Sequence, residues 1–160
     1  MATVDLTVGG TTGHPASIAT RNPYIMSTEV TGAAAAAAKG GVLDALDVIQ
    51  VFDIPADTVV IYGGAEITTA DTDGSADALV SLGTGVDVDQ WVAAVTLDVA
   101  AILTTLFAPE QTFAAADTVD LALTETTAYS SNDDWVMNVW VLCVDITNRA
   151  TGPANPNTVT

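Results

Sequence analysis

The stretch Trp135-Val136-Met137-Asn138-Val139-Trp140-Val141-Leu142-Cys143-Val144-Asp145-Ile146 decides the fold. Taken with period two, it places Trp135, Met137, Val139, Val141 and Cys143 on one face and Val136, Trp140, Leu142, Val144 and Ile146 on the other. Sustained alternation of this kind, dense in β-branched and aromatic side chains, marks a strand. Both faces are apolar, so the strand is expected either between two layers or with its second face against another subunit.

Working outward, Val48, Ile49, Val51, Phe52 and Ile54 form a shorter run, apolar on both faces and closed by Pro55-Ala56-Asp57, which predicts a central strand followed by a turn. Val59, Ile61, Ala65 and Ile67 alternate against Val60, Tyr62, Glu66 and Thr68 in a further strand. The Gly63-Gly64 pair inside it marks a bulge or a close backbone approach, and a bend is expected there. Val119, Leu121 and Leu123 alternate with Thr118, Asp120 and Thr124, the pattern of a half-buried antiparallel strand. Tyr24 to Val30 and Ala78 to Leu82 complete the clear strands, and Asp71 to Asp77 is expected to be a turn.

Two segments leave alternatives open. Ala33 to Ala38, bounded by glycines, suits a single docked helical turn or a flat strand of small side chains, because so short a helix does not stand alone. Between Asp89 and Phe107, Trp91, Val95, Val99, Ile102, Leu103 and Leu106 fall at helical spacing, with Asp89 as N-cap. The abundance of Val, Ile and Thr there weighs toward strands and loop.

Roughly six to eight short strands with turn signals every 8 to 12 residues predict an all-β fold, an antiparallel β-sandwich of which the jelly roll is one form. The sequence divides into an extended N-terminal arm (1–22), a sandwich domain (23–148) and a C-terminal tail (149–160) rich in Thr, Asn and Pro. Its 160 residues fit one domain, and 49% hydrophobic content with 14% charged residues predicts a folded chain.

Twenty Asp and Glu stand against Arg21, Lys39 and Arg149, for a formal charge of −17. Nucleic-acid binding draws on several Lys or Arg contacts to phosphate, so that class is excluded, and anionic membrane surfaces with it. No apolar stretch approaches the length of a membrane span, and the N-terminus lacks the basic flank and apolar core of an export signal. A soluble protein suited to a salty medium is expected.

Chemistry is thinly supported. His14 is the only imidazole and lies in the expected arm, leaving no partner set for a Ser-His-Asp or Cys-His arrangement or a zinc site. Cys143 sits among apolar residues and reads as a small buried hydrophobe. Asp133-Asp134, Asp87 with Asp89 and Asp117 with Asp120 would each supply a carboxylate pair for glycoside hydrolysis, but with so many aspartates solvated turns account for them. Asp71, Asp73 and Asp77 around Gly74 are the best metal candidates, three carboxylates in a loop that suits calcium, although the EF-hand spacing is incomplete and an ordinary acidic turn explains them as well. No other cofactor is implied. Of the tryptophans, Trp135 and Trp140 occupy opposite faces of one strand, so core or subunit packing is their expected use, and Trp91 is the one expected to be exposed.

The stretch Ile54-Pro-Ala-Asp-Thr-Val-Val-Ile-Tyr-Gly-Gly-Ala-Glu-Ile-Thr-Thr-Ala-Asp-Thr-Asp-Gly74, followed by Leu79-Val-Ser-Leu-Gly-Thr-Gly-Val-Asp-Val-Asp-Gln-Trp91, resembles small all-β structural proteins of tailed bacteriophages. The resemblance spans residues 44–100 and brings no catalytic residues. It implies a non-enzymatic virion protein, a capsid decoration or cement protein on the outer surface of the head. The implied partners are the major capsid protein and copies of itself, with a trimer preferred. The alternative it leaves is a receptor- or glycan-binding module of a fibre or spike.

Overall fold

The computed structural model describes residues 2–6, 23–72, 78–105, 111–125 and 134–146. Two sheets share one hydrophobic core. The first contains β1 (Thr3–Asp5), β3 (Val48–Ile54), β9 (Asp117–Glu125), β5 (Ala78–Thr84) and β6 (Val92–Thr96), in that spatial order. The second runs β2 (Tyr24–Thr31), β10 (Val136–Asp145), β4 (Thr58–Thr69) and β7 (Ala101–Thr105), with β8 (Gln111–Phe113) also paired to β4. The β1–β3 pair is parallel and the other pairs are antiparallel. The chain stays within one sheet only from β5 to β6 and from β7 to β8; every other connection crosses to the opposite layer. The all-β sandwich read from the sequence is the observed architecture, with more strands than the turn signals indicate.

The deciding stretch becomes β10, in the interior of the second sheet between β2 and β4. Trp135, Met137, Val139, Val141 and Cys143 are fully buried against the first sheet, while Val136, Trp140, Leu142 and Val144 lie partly exposed on the opposite face. Opposing them across the core are Ile49, Phe52, Val80, Leu82, Leu121 and Leu123 of the first sheet. β3 is central as expected, flanked by β1 and β9, and its turn places Asp57 at φ 58. The helix-or-strand ambiguity between 89 and 107 resolves, as far as residue 105, into β6 and β7, as the β-branched content indicates; Leu106 and Phe107 lie outside the described residues.

The alanine run is a helix, α1 (Gly32–Lys39), and its caps explain how so short a helix holds. Thr31 Oγ1 accepts from the Ala34 N–H at 3.1 Å. At the other end Gly40, at φ 76, and Gly41 donate to the carbonyls of Ala37 and Ala36, the paired bonds of a Schellman end. Ala35 and Gly32 are buried, so small side chains let the helix lie close on the core.

Three expectations are corrected. Pairing of β4 with β10 runs unbroken through Gly63 and Gly64; the register shifts instead around Ile61 and Thr68. The Ile61 bulge changes the phase of the strand, so Thr58 and Val60 face the core before it and Ala65 and Ile67 after it. Gly64 lies opposite Trp140 in that unbroken register. Second, β9 is covered on both faces at its centre, where Val119, Asp120, Leu121, Ala122 and Leu123 are all buried. Third, Trp91 is buried, at 8% exposure.

Within the segment read as an N-terminal arm, residues 2–6 are docked. Thr3–Asp5 extends the first sheet beside β3, and Val4 is in the core. Residues 7–22 and 147–160 lie outside the described residues.

The two faces of β10 should respond differently to truncation. Met137→Ala is expected to cost about 2–5 kcal/mol, by lost transfer energy and the cavity left behind, whereas Asn138→Ala on the outer face should cost about 0.5 kcal/mol or less. Urea denaturation of both variants checks this.

Candidate functional site

The outer face of the second sheet is ordered in rows, because side chains directly opposite one another on antiparallel strands share a face. Glu29 of β2, Asn138 of β10, Glu66 of β4 and Ile102 of β7 form one row. Next come Ser27, Trp140 and Gly64, then Ile25, Leu142 and Tyr62, and beyond the Ile61 bulge Val144 opposite Val59. Ile25 and Ile102 are 64% and 66% exposed. The face therefore has an apolar half, from Trp140 through Leu142 and Tyr62 to Val144, bordered on one side by two carboxylates with an amide between them. Surface patches of this kind mark contact with another molecule.

The opposite sheet carries two buried carboxylates with contrasting surroundings. Asp47, 1% exposed, accepts from the N–H groups of Ala2 and Asp44, each at 2.8 Å, and from Lys39 Nζ at 2.6 Å. Lys39 also donates to Asp44 at 2.5 Å and to the Val42 carbonyl at 2.7 Å. Burial pushes the Asp47 carboxyl up, but the Lys39 ammonium and the two N–H donors outweigh it and hold the group below its ordinary value. This cluster ties the chain start, the end of α1 and the entry to β3 together.

Asp120, 2% exposed, has no such compensation. It lies in register between Gln50 of β3 and Gly83 of β5. The loop after β5 folds back over that position, so that a Cβ on Gly83 would stand 2.1 Å from the Asp87 carbonyl oxygen. Burial pushes the Asp120 carboxyl up; the Thr118 hydroxyl opposes this and the negative charge of Asp117 adds to it. Its Oδ1 has no hydrogen-bond partner among the described residues.

Of the residues singled out for chemistry, Asp71 is buried and its N–H donates to the Leu97 carbonyl at 3.0 Å. Asp73 and Asp77 fall outside the described residues, as do His14 and Asp133. Among the described residues no group of three His, Cys, Asp or Glu side chains is placed to hold a metal ion. Asp134 instead accepts from the N–H and hydroxyl of Thr72, which keeps its carboxyl below the ordinary range. Asp87 hydrogen bonds Asp89 within one exposed loop, and that contact raises its carboxyl. Asp120 is too buried to meet a sugar together with Asp117. Cys143 is a free buried thiol pushed up to about 12 by burial, far from the thiolate that reactivity needs. With Trp135 and Trp91 in the core, Trp140 is the one tryptophan on a sheet surface. No described helix is long and apolar enough to cross a membrane.

The carboxylate row and the burial of Asp120 escape sequence reading. Each depends on which strand pairs with which, and no local pattern encodes that.

No protein-family model matches the chain, and no curated protein matches it in sequence. Solved structures do. A chain from the capsid of Ralstonia phage GP4 superposes with a TM-score of 0.61 at 12% identity, over 88% of this chain and 97% of that one. A chain from the cyanophage Pam1 capsid asymmetric unit gives 0.53 at 19% identity, over 77% and 83%. A third, from the acid-stable capsid of Helicobacter pylori bacteriophage KHP30, gives 0.47 at 12% identity, over 75% and 86%. The sandwich is thus a fold found in phage capsids, on chains of similar length to this one.

The Asp120 surroundings predict a pH dependence. A carboxyl whose folded pKa lies above its unfolded value binds the proton more tightly when folded, so stability falls as pH rises from about 4 through the folded pKa. Asp120→Asn should remove that fall and leave the variant more stable than the parent at neutral pH. Denaturation midpoints of both chains across pH 4 to 8 check it; Asp47, with its shift in the other direction, adds a loss only below about pH 4.

Proposed function

We propose that this chain is a non-enzymatic structural protein of a tailed-phage virion, one that decorates or cements the head by binding the major capsid protein from outside. The observation that carries the reading is the shared sandwich, which extends over nearly the whole of a chain of matching size in a phage capsid. The resemblance of residues 44–100 to phage virion proteins points the same way.

Charge supports the outer surface. At −17 the chain would be repelled by packaged DNA, and it has too few cations to neutralise phosphate. The same charge opposes close association of free copies, so a trimer at lattice three-fold positions would draw its binding energy from contacts with the shell, repeated over many sites. The partly apolar outer face of the second sheet is the surface we assign to that contact. Burial of Trp91 leaves Trp140, on the same sheet face, as the tryptophan on which the glycan-binding alternative would rely.

The test is attachment of purified protein to shells assembled without it, followed by cosedimentation. Wild-type protein should bind in saturable amounts, and Trp140→Asp or Leu142→Asp should weaken attachment roughly tenfold or more, the scale of losing a central apolar contact, with the thermal transition retained. Absence of wild-type binding would remove the decoration reading. Quenching of tryptophan fluorescence by host glycans would favour the fibre module instead.

A further inference from the structure

The carboxylate row specifies the chemistry of the partner. Resting on the shell-binding reading, we propose that the outer face of the second sheet docks on an apolar patch of the capsid protein bordered by two Lys or Arg side chains, which pair with Glu29 and Glu66.

Glu29 and Glu66 flank Asn138 from the two neighbouring strands, so they stand two strand spacings apart, about 10 Å at roughly 4.8 Å per spacing. The strands of a sheet are rigidly held, so the backbone positions from which the two carboxylates project are fixed before docking. Immediately beside them, Trp140 and Leu142 provide an apolar surface with Ile25 and Tyr62 on either side of Leu142. A carboxylate at the margin of an apolar contact steers the approach and fixes the register, while the apolar part supplies most of the affinity.

A second copy of the chain does not meet that requirement. The face has no cation of its own among its described residues. Lys39, the described lysine, is engaged by Asp44 and Asp47 beside the first sheet. Two copies face to face would bring four carboxylates together under a net charge of −17 each. Among the described residues nothing of a second copy supplies the cations, and the net charge of −17 opposes self-association, so the complementary surface is assigned to a different protein, one that presents positive charge next to apolar side chains.

Attachment of Glu29→Gln/Glu66→Gln to shells assembled without the protein tests this, measured beside wild type at about 50 and about 500 mM NaCl, where screening lengths differ roughly threefold. Wild-type attachment should weaken with salt. The double variant should bind roughly three- to thirtyfold less tightly at low salt, as for two ion pairs at the margin of a contact, and should show a shallower salt dependence. Glu29→Lys/Glu66→Lys should bind more weakly again. An unchanged salt dependence in the Gln variant, or tighter binding of the Lys variant, would overturn the proposal while leaving shell attachment intact. Dimerisation of the free chain that Trp140→Asp abolishes would overturn it in favour of a second copy. Failure of wild type to attach at all would remove the shell-binding reading and this proposal together.

Discussion

Burial of the inner row of β10 is the constraint on which the rest of the molecule depends. Trp135, Met137, Val139, Val141 and Cys143 are withdrawn completely from water, and each large apolar side chain so placed contributes roughly 1.5–3 kcal/mol before the entropy of ordering is counted. To cover that row the first sheet must lie directly across from it, and to satisfy its backbone β2 and β4 must flank it. Once those positions are set, the alternation of the strand leaves Trp140, Leu142 and Val144 on the far side. The outward apolar face is a geometric consequence of a strand apolar at nearly every position. A chain needing only a core would have placed polar residues there.

Electrostatics adds a second constraint, since some of the carboxylates are taken out of water. Asp47 and Asp120 are equally inaccessible, but one is surrounded by an ammonium and two N–H donors and the other is beside a carboxylate and beneath a loop backbone. The first holds its charge and joins three chain segments. The second is driven toward its neutral form. With the described lysine held at the first site, the charged groups on the outer face of the second sheet are, among the described residues, acidic.

How much was legible in the sequence varied with how local the determining pattern is. β10 and β3 are evident because their periodicity and their bounding residues lie within the segments themselves. Residues 89–107 were legible as strands through side-chain branching, even though their apolar spacing also fits a helix. The alanine run stayed ambiguous because its helix depends on caps at both ends and on a bed of core side chains. The glycine pair in β4 pointed to the wrong bulge: Gly63 and Gly64 are a common signature of irregular pairing, whereas Ile61, which carries the irregularity, looks like any strand residue. Trp91 and Asp120 were hidden for a different reason. Asp120 is buried by neighbouring strands and the loop after β5, Trp91 by joining the common core, and composition carries no record of those encounters. The same holds for the candidate site, where the apolar half could be anticipated from β10 alone but the glutamates join it only through the pairing of β2 and β4.

The alternation of the chain between layers bears on how the molecule forms and persists. Since nearly every connection crosses the sandwich, neither sheet is a continuous piece of sequence, and neither can be completed before the other has begun. Contacts of long sequence separation must accumulate before any of them is secure, which makes for slow folding. The reverse process meets the same obstacle. Apart from the consecutive pairs β5–β6 and β7–β8, no hairpin-sized portion can peel from the core without disturbing strands of both layers, so loss of structure is expected to be largely concerted and infrequent, a property of lifetime rather than of equilibrium.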